Sequence, residues 1–95
     1  MGATRLTDQI YEVTGELSPD VTGTYNPIGT YNSKPSYEIV ATGWFIWWDG
    51  IDSWKISTLR GTEGTNFWTR TDPAIVGQYD PTLPATGNAV VAELV

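Results

Sequence analysis

In Asp49-Gly50-Ile51-Asp52 two carboxylates share a short loop with a flexible glycine, an oxygen-rich segment of the kind a calcium ion takes. No EF-hand spacing accompanies it. Asp-Gly between two apolar runs is equally the mark of a plain turn, so no metal is expected. Asp72 and Asp80 read the same way. Ser and Thr are plentiful, but the chain has no His and no Cys, and its only lysines are Lys34 and Lys55. Little is left to activate a hydroxyl as a nucleophile. A Gly-rich phosphate loop and a dinucleotide fingerprint are both missing. Neither catalysis nor a cofactor is expected.

The side chains that remain able to recognise something are aromatic: five Trp, five Tyr and two Phe in 95 residues. Flat rings on strands suit the faces of sugars, and the candidates are Phe45, Trp47 and Trp68, with Tyr31 and Tyr37 from loops. Small domains use the same residues as core, because each ring buries about 150–250 Å². The elements that carry the rings decide between the two uses.

Those elements read as strands. Every apolar stretch is short and bounded by Gly, Pro or Asn, and none keeps a helical spacing free of breakers. Strands are expected at 9–14, 21–25, 37–41, 43–48, 53–59, 67–70 and 88–95. Asn26-Pro27-Ile28-Gly29 reads as a turn, 31–35 as a loop, and the stretch after Pro73 as punctuated by prolines. The expected fold is all-β, a small antiparallel sandwich or barrel of about seven short strands. Residues 1–95 form one domain, with 1–14 as an N-terminal arm or edge strand.

The central hairpin can be placed in register. Alternation sends Trp44, Ile46 and Trp48 to one face of the first strand, and Trp54, Ile56 and Thr58 to one face of the second. Pairing Trp48 with Trp54 sets Ile46 against Ile56 and Trp44 against Thr58, whereas a slip of one residue would oppose Trp and Ile to Lys and Ser. Phe45 and Trp47 then face away from the core, beside Ser57 and Lys55. Either the chain's own loops cover them or a partner does.

An internal echo runs through the chain. Pro19-Asp20-Val21-Thr22-Gly23-Thr24-Tyr25-Asn26-Pro27 matches Pro73-Ala74-Ile75-Val76-Gly77-Gln78-Tyr79-Asp80-Pro81, in the pattern P-x-[V/I]-x-G-x-Y-[N/D]-P. It reads either as two ligand loops or as one style of strand end used twice.

The net charge of −6 and pI near 4.2 argue against a nucleic-acid partner, which needs a basic face, and against docking to anionic membranes. The N-terminal Met1-Gly2-Ala3-Thr4-Arg5-Leu6 lacks the apolar region of a signal peptide, and no stretch of about 18 apolar residues could span a bilayer. Synthesis in the cytoplasm is expected. The last strand, Asn88 to Val95, keeps apolar residues on both faces. Val91 and Val95 are therefore candidate interface residues, together with the outward aromatics, and self-association is expected.

Gly23-Thr24-Tyr25, then Gly29-Thr30-Tyr31-Asn32-Ser33-Lys34-Pro35-Ser36-Tyr37, then Ile46-Trp47-Trp48-Asp49-Gly50 and Ser53-Trp54-Lys55-Ile56-Ser57 occur in that order. Together they resemble a loose set of small β domains in tailed-phage and phage-like structural genes, with the pattern G-x-Y, N-G-x-P-x-Y, I-W-x-D-G, W-x-I-S. Gly77-Gln78-Tyr79 and Thr86-Gly87-Asn88-Ala89-Val90 resemble how such chains close. Ser33 departs from the pattern, which has Gly there. The resemblance implies a non-enzymatic virion protein, such as a head-decoration, head-fibre or tail-associated subunit. Its partners would be other virion proteins and copies of itself, a trimer by analogy. A carbohydrate-binding module is the alternative, with a glycan as ligand, and a small host-directed inhibitor or binder is a third reading.

Overall fold

The computed structural model describes residues 9–94. Short alternating runs fold into eight strands: β1 (Ile10–Thr14), β2 (Gly23–Tyr31), β3 (Lys34–Ile39), β4 (Trp44–Trp48), β5 (Trp54–Ser57), β6 (Phe67–Arg70), β7 (Gly77–Thr82) and β8 (Ala89–Leu94). Each pairs antiparallel with the next, and β8 returns to β1, so the sheet closes into a barrel. An eight-stranded barrel is just wide enough for its own side chains to fill. Here the filling is largely aromatic, with Tyr25, Trp68 and Tyr79 all 0% exposed.

The hairpin register is as expected, with Trp48 opposite Trp54, Ile46 opposite Ile56, and Phe45 and Trp47 on the outer side beside Ser57 and Lys55. The ladder stops one pair short of Trp44–Thr58, because β5 ends at Ser57. Trp48 and Trp54 pack at 5.5 Å between ring centroids near one barrel end.

The echo turns out to mark the barrel's two corners. β2 pairs with β1 through residues 23–25 and with β3 from Asn26 onward. β7 likewise pairs with β8 through 77–79 and with β6 from Asp80 onward. A strand that changes partner must bend sharply, and the motif supplies the means. Gly23 and Gly77 have φ of 138° and 132°, and a Cβ there would strike Ile39 and Arg70 respectively. Two residues on, each tyrosine turns into the core, and its hydroxyl donates to the carbonyl four residues back: Tyr25 to Val21 and Tyr79 to Ile75, both at 2.7 Å. Burial pushes both phenols well above their usual pKa, so both remain donors.

The strand expected to end at Asn26-Pro27 instead runs through it, and Asp80-Pro81, read as the same kind of stop, lies inside β7. A proline lacks the N–H that a ladder needs, but each stands just past the point where pairing to one neighbour has stopped. The expected turn at 26–29 is therefore strand, with a register shift between Pro27 and Thr30. For the same reason β7 is the strand that a proline-led reading passes over.

Residues 31–35 are also not a loop. They form a two-residue hairpin turn in which Asn32 and Ser33 both take positive φ, 52° and 71°. Asn32 fixes the turn by donating its side-chain amide to the Trp48 carbonyl at 2.9 Å. Closure removes any edge as well. β1 pairs with β8 along Ile10–Thr14 and with β2 through residues 11–13, so it is neither arm nor edge, while residues 1–8 lie outside the described part. β8 is likewise paired on both sides, and Val91, 1% exposed, points into the barrel. Val91 is thus core and not interface, and Val95 lies outside the described residues.

A turn with two left-handed residues favours Asn-Gly, and a non-glycine residue at the second position is strained. Ser33 is exposed, so Ser33→Gly changes little else. The substitution is expected to stabilise the fold by about 0.5–1 kcal/mol, after allowing for glycine's extra freedom when unfolded. Thermal unfolding checks this: the midpoint should rise by a few degrees, at about 4–8 °C per kcal/mol for a chain of this size.

Candidate functional site

The outer face offered as an aromatic platform is covered by the chain itself. Trp47 is only 4% exposed, although it lies on the outside of the barrel. Its indole N–H donates to the Ser57 hydroxyl at 2.9 Å, and that oxygen lies 2.9 and 2.8 Å from the carbonyls of Leu59 and Thr62. The β5–β6 connection is thereby drawn over the sheet. The Tyr31 ring meets Trp47 edge-on at 5.9 Å, and the Arg60 guanidinium lies 5.8 Å from the centroids of both Tyr31 and Phe45. Arg60 is tied down through Ser36 at 3.0 Å and the Ile28 carbonyl at 3.3 Å. Tyr31, Phe45 and Trp47 are brought together, but as a small outer core under a loop.

Two further candidates lie inside the barrel. Trp68 pairs with Ile56, which puts it on the inner face, and its indole donates to the Gly87 carbonyl at 2.7 Å. Tyr37 pairs with Ile46 and is 3% exposed. Neither is an outward sugar platform. Extending the hairpin register by one strand on each side would have placed both inside.

Asp49 serves its turn. One carboxylate oxygen accepts the N–H groups of Ile51, Asp52 and Ser53 at 2.8, 3.0 and 3.1 Å. Partial burial alone would raise its pKa, but the three amides and the nearby Lys55 charge outweigh it and hold the carboxyl below its usual value.

The barrel ends differ. At one end the loops before β2 and before β8 bridge through Ser18 and Thr86, at 3.1 and 2.8 Å, and bring in Val21 and Ala85, both 0% exposed. At the other end the loop before β7 contributes Ile75, held by Tyr79 and by the Trp54 indole N–H bonded to the Pro73 carbonyl at 3.0 Å. Ile75 is only half-buried, and a cavity of about 190 Å³ remains beside it. Its lining is Gln9, Tyr11, Lys34, Pro35, Tyr37, Trp54, Ile75 and Glu93. Tyr11 and Tyr37 meet edge to face at 4.8 Å. Burial raises the pKa of both phenols, and the Glu93 charge adds to the effect on Tyr11. Both are therefore neutral hydroxyls at the cavity wall.

Of this lining, the sequence offers only Tyr37 as a candidate binding residue. The others come from its own strand, from three more strands or their ends and from one loop, so no spacing along the chain groups them. No family model matches the chain, and no similar curated protein or solved structure is found. The described residues form an eight-stranded antiparallel barrel, with two bridged loops closing one end and a cavity of about 190 Å³ at the other.

Because Asp49 has a lowered pKa when folded, the unfolded chain binds more protons on the acid side. Its stabilising effect is complete above the ordinary carboxylate pKa and is lost as pH falls through the folded value. Asp49→Asn keeps an acceptor oxygen without the charge. Urea unfolding from about pH 5 down to pH 2 should show a shallower acid loss in the variant than in the parent. Parallel curves would mean that Asp49 contributes nothing to acid sensitivity.

Proposed function

We propose that this chain is a non-enzymatic structural subunit of a phage-type virion, which docks onto neighbouring virion proteins through the loop tips of its sealed end. The resemblance of its strand and turn motifs to phage structural domains supports the class. The observation that carries the docking mode is where apolar side chains are held out in water. The aromatics on the outer face are covered, whereas Val40, Leu59 and Leu83 are 75%, 57% and 79% exposed; Ile51, at 81%, is the one comparably exposed apolar residue described at the other end. The first three sit on the β3–β4, β5–β6 and β7–β8 connections, which the antiparallel order places at the same end. Large apolar residues on loop tips add nothing to the core and are suited to a partner.

The test is immunogold labelling and mass spectrometry of particles purified from the lysate that carries the gene. Label on the particles is expected for the parent. A Val40→Ser, Leu83→Ser double variant should keep its melting temperature while its incorporation falls about tenfold or more, the loss expected when interface apolar contacts worth more than about 1.4 kcal/mol are removed. Protein found only in the free fraction, with none on particles, would overturn the proposal.

A further inference from the structure

The charge of the barrel is one-sided. Residues 9–31 and 77–94, which build β1, β2, β7 and β8, contain Glu12, Glu16, Asp20, Asp80 and Glu93 and no Lys or Arg. Every base of the described residues lies on the other half, and each is engaged there. Lys55 meets Glu63 at 2.7 Å, and Arg70 lies 3.8 Å from Asp72. Lys34 sits over the Trp48 ring, and Arg60 against Tyr31 and Phe45. The five acids of the first half are exposed, and no ion pair joins them to a base among the described residues.

Three of those acids border exposed apolar side chains near the loop tips. β8 turns Val90 outward, 41% exposed, with Ala92 after it on the same face; opposite them on β1 stand Thr14 and Glu12. Asp80 accepts the side-chain amide of Asn88, two residues before Val90, at 3.0 Å. Glu16 follows β1, and its carbonyl lies so close to Gly87 that a Cβ there would strike it. Ser18 and Thr86 bridge the same two loops, and the second of these carries Leu83, 79% exposed. An apolar centre with an acidic border results.

A surface of this make-up discriminates by charge. The same patch on a second copy would set acid against acid, and the bases of that copy's other half are already held by its own groups. Phosphate-rich surfaces, whether nucleic acid or lipid, are repelled for the same reason. Lys and Arg arranged around apolar side chains complement both parts of the patch. We propose that the patch of Leu83, Val90 and Ala92 with Glu12, Glu16 and Asp80 docks a basic protein surface, one with Lys or Arg around an apolar centre. This surface extends the docking reading of the same end and rests on it, but not on the partner's being a virion protein.

The experiment is a heteronuclear NMR titration of the full chain with two 14-residue amphipathic peptides, one of Leu and Lys and one of Leu and Glu. The Leu/Lys peptide should shift the backbone amides of Glu12, Glu16, Leu83 and Val90 in a saturable way, and the Leu/Glu peptide should shift none of them. A Glu12→Gln, Glu16→Gln variant, altered at two exposed positions, should keep its melting temperature and bind the Leu/Lys peptide about fivefold more weakly, as two exposed charge contacts give. A Thr30→Lys, Ile51→Lys variant changes the net charge equally, away from the patch, and should bind as the parent does. Raising NaCl from about 50 to about 500 mM should weaken parent binding by at least a similar factor. Shifts centred elsewhere on the barrel, equal binding of the two peptides, or a parent that sediments as a multimer broken by Leu83→Ser would each overturn the proposal. Parent and Gln variant are also added to particles grown without the gene. Particles that take up neither, with the Leu/Lys peptide still on the patch, would overturn the virion reading alone. Equal uptake of both would overturn the basic partner and leave the virion reading standing.

Discussion

A barrel of eight short strands with no disulfide has to be held by what fills it, and the filling has to reach from both corners to the centre. Two tyrosines meet that demand. Tyr25 and Tyr79 each stand two residues after a glycine that lets the strand bend, and each returns a hydrogen bond to the carbonyl four residues back. The bend, the ring and the hydroxyl act together. Without the bend a strand could not serve two neighbours, and without the ring the corner would leave a void. Without the hydroxyl, a carbonyl in the plugging loop would lose its bond and the loop its anchor.

The same device used twice gives unequal results, because the two corner strands run in opposite directions. The loop before β2 reaches one end of the barrel, where the loop before β8 meets it and the pair seals the interior with Val21 and Ala85. The loop before β7 reaches the other end. There the β4–β5 connection meets it through Ser53 and Thr71, whose hydroxyls lie 3.2 Å apart, while Gln9 and Glu93 stand at strand ends beside the cavity. Among the described residues one end is therefore closed by two bridged loops, and the other keeps a cavity beside Ile75. The difference between the two ends follows from strand direction.

Much of the fold was legible in the sequence. The Trp48–Trp54 register followed from alternation alone, because only one register puts like with like on each face. The all-β class followed from glycine and proline spacing. The echo was visible, but its meaning was not: a strand that changes partner looks the same in sequence as one that ends, so Pro27 and Pro81 read as stops. Trp47 faced outward as expected, yet its cover comes from Tyr31 and from a loop with no periodic signal. The mouth was almost illegible. Glu93 lies some eighty residues from Tyr11 along the chain and directly opposite it in the sheet, a pairing that exists only because β8 closes onto β1.

The corner tyrosines are tested most directly by removing each hydroxyl and nothing else. Tyr25→Phe and Tyr79→Phe, compared with the parent by urea unfolding, should each lose about 1–2 kcal/mol, because each leaves a loop carbonyl without its bond. The pair should be additive, since the bonds anchor different loops at opposite ends of the barrel. Two variants as stable as the parent would contradict the view that these bonds hold the corners, and would leave the echo as a likeness of sequence without a shared mechanical role.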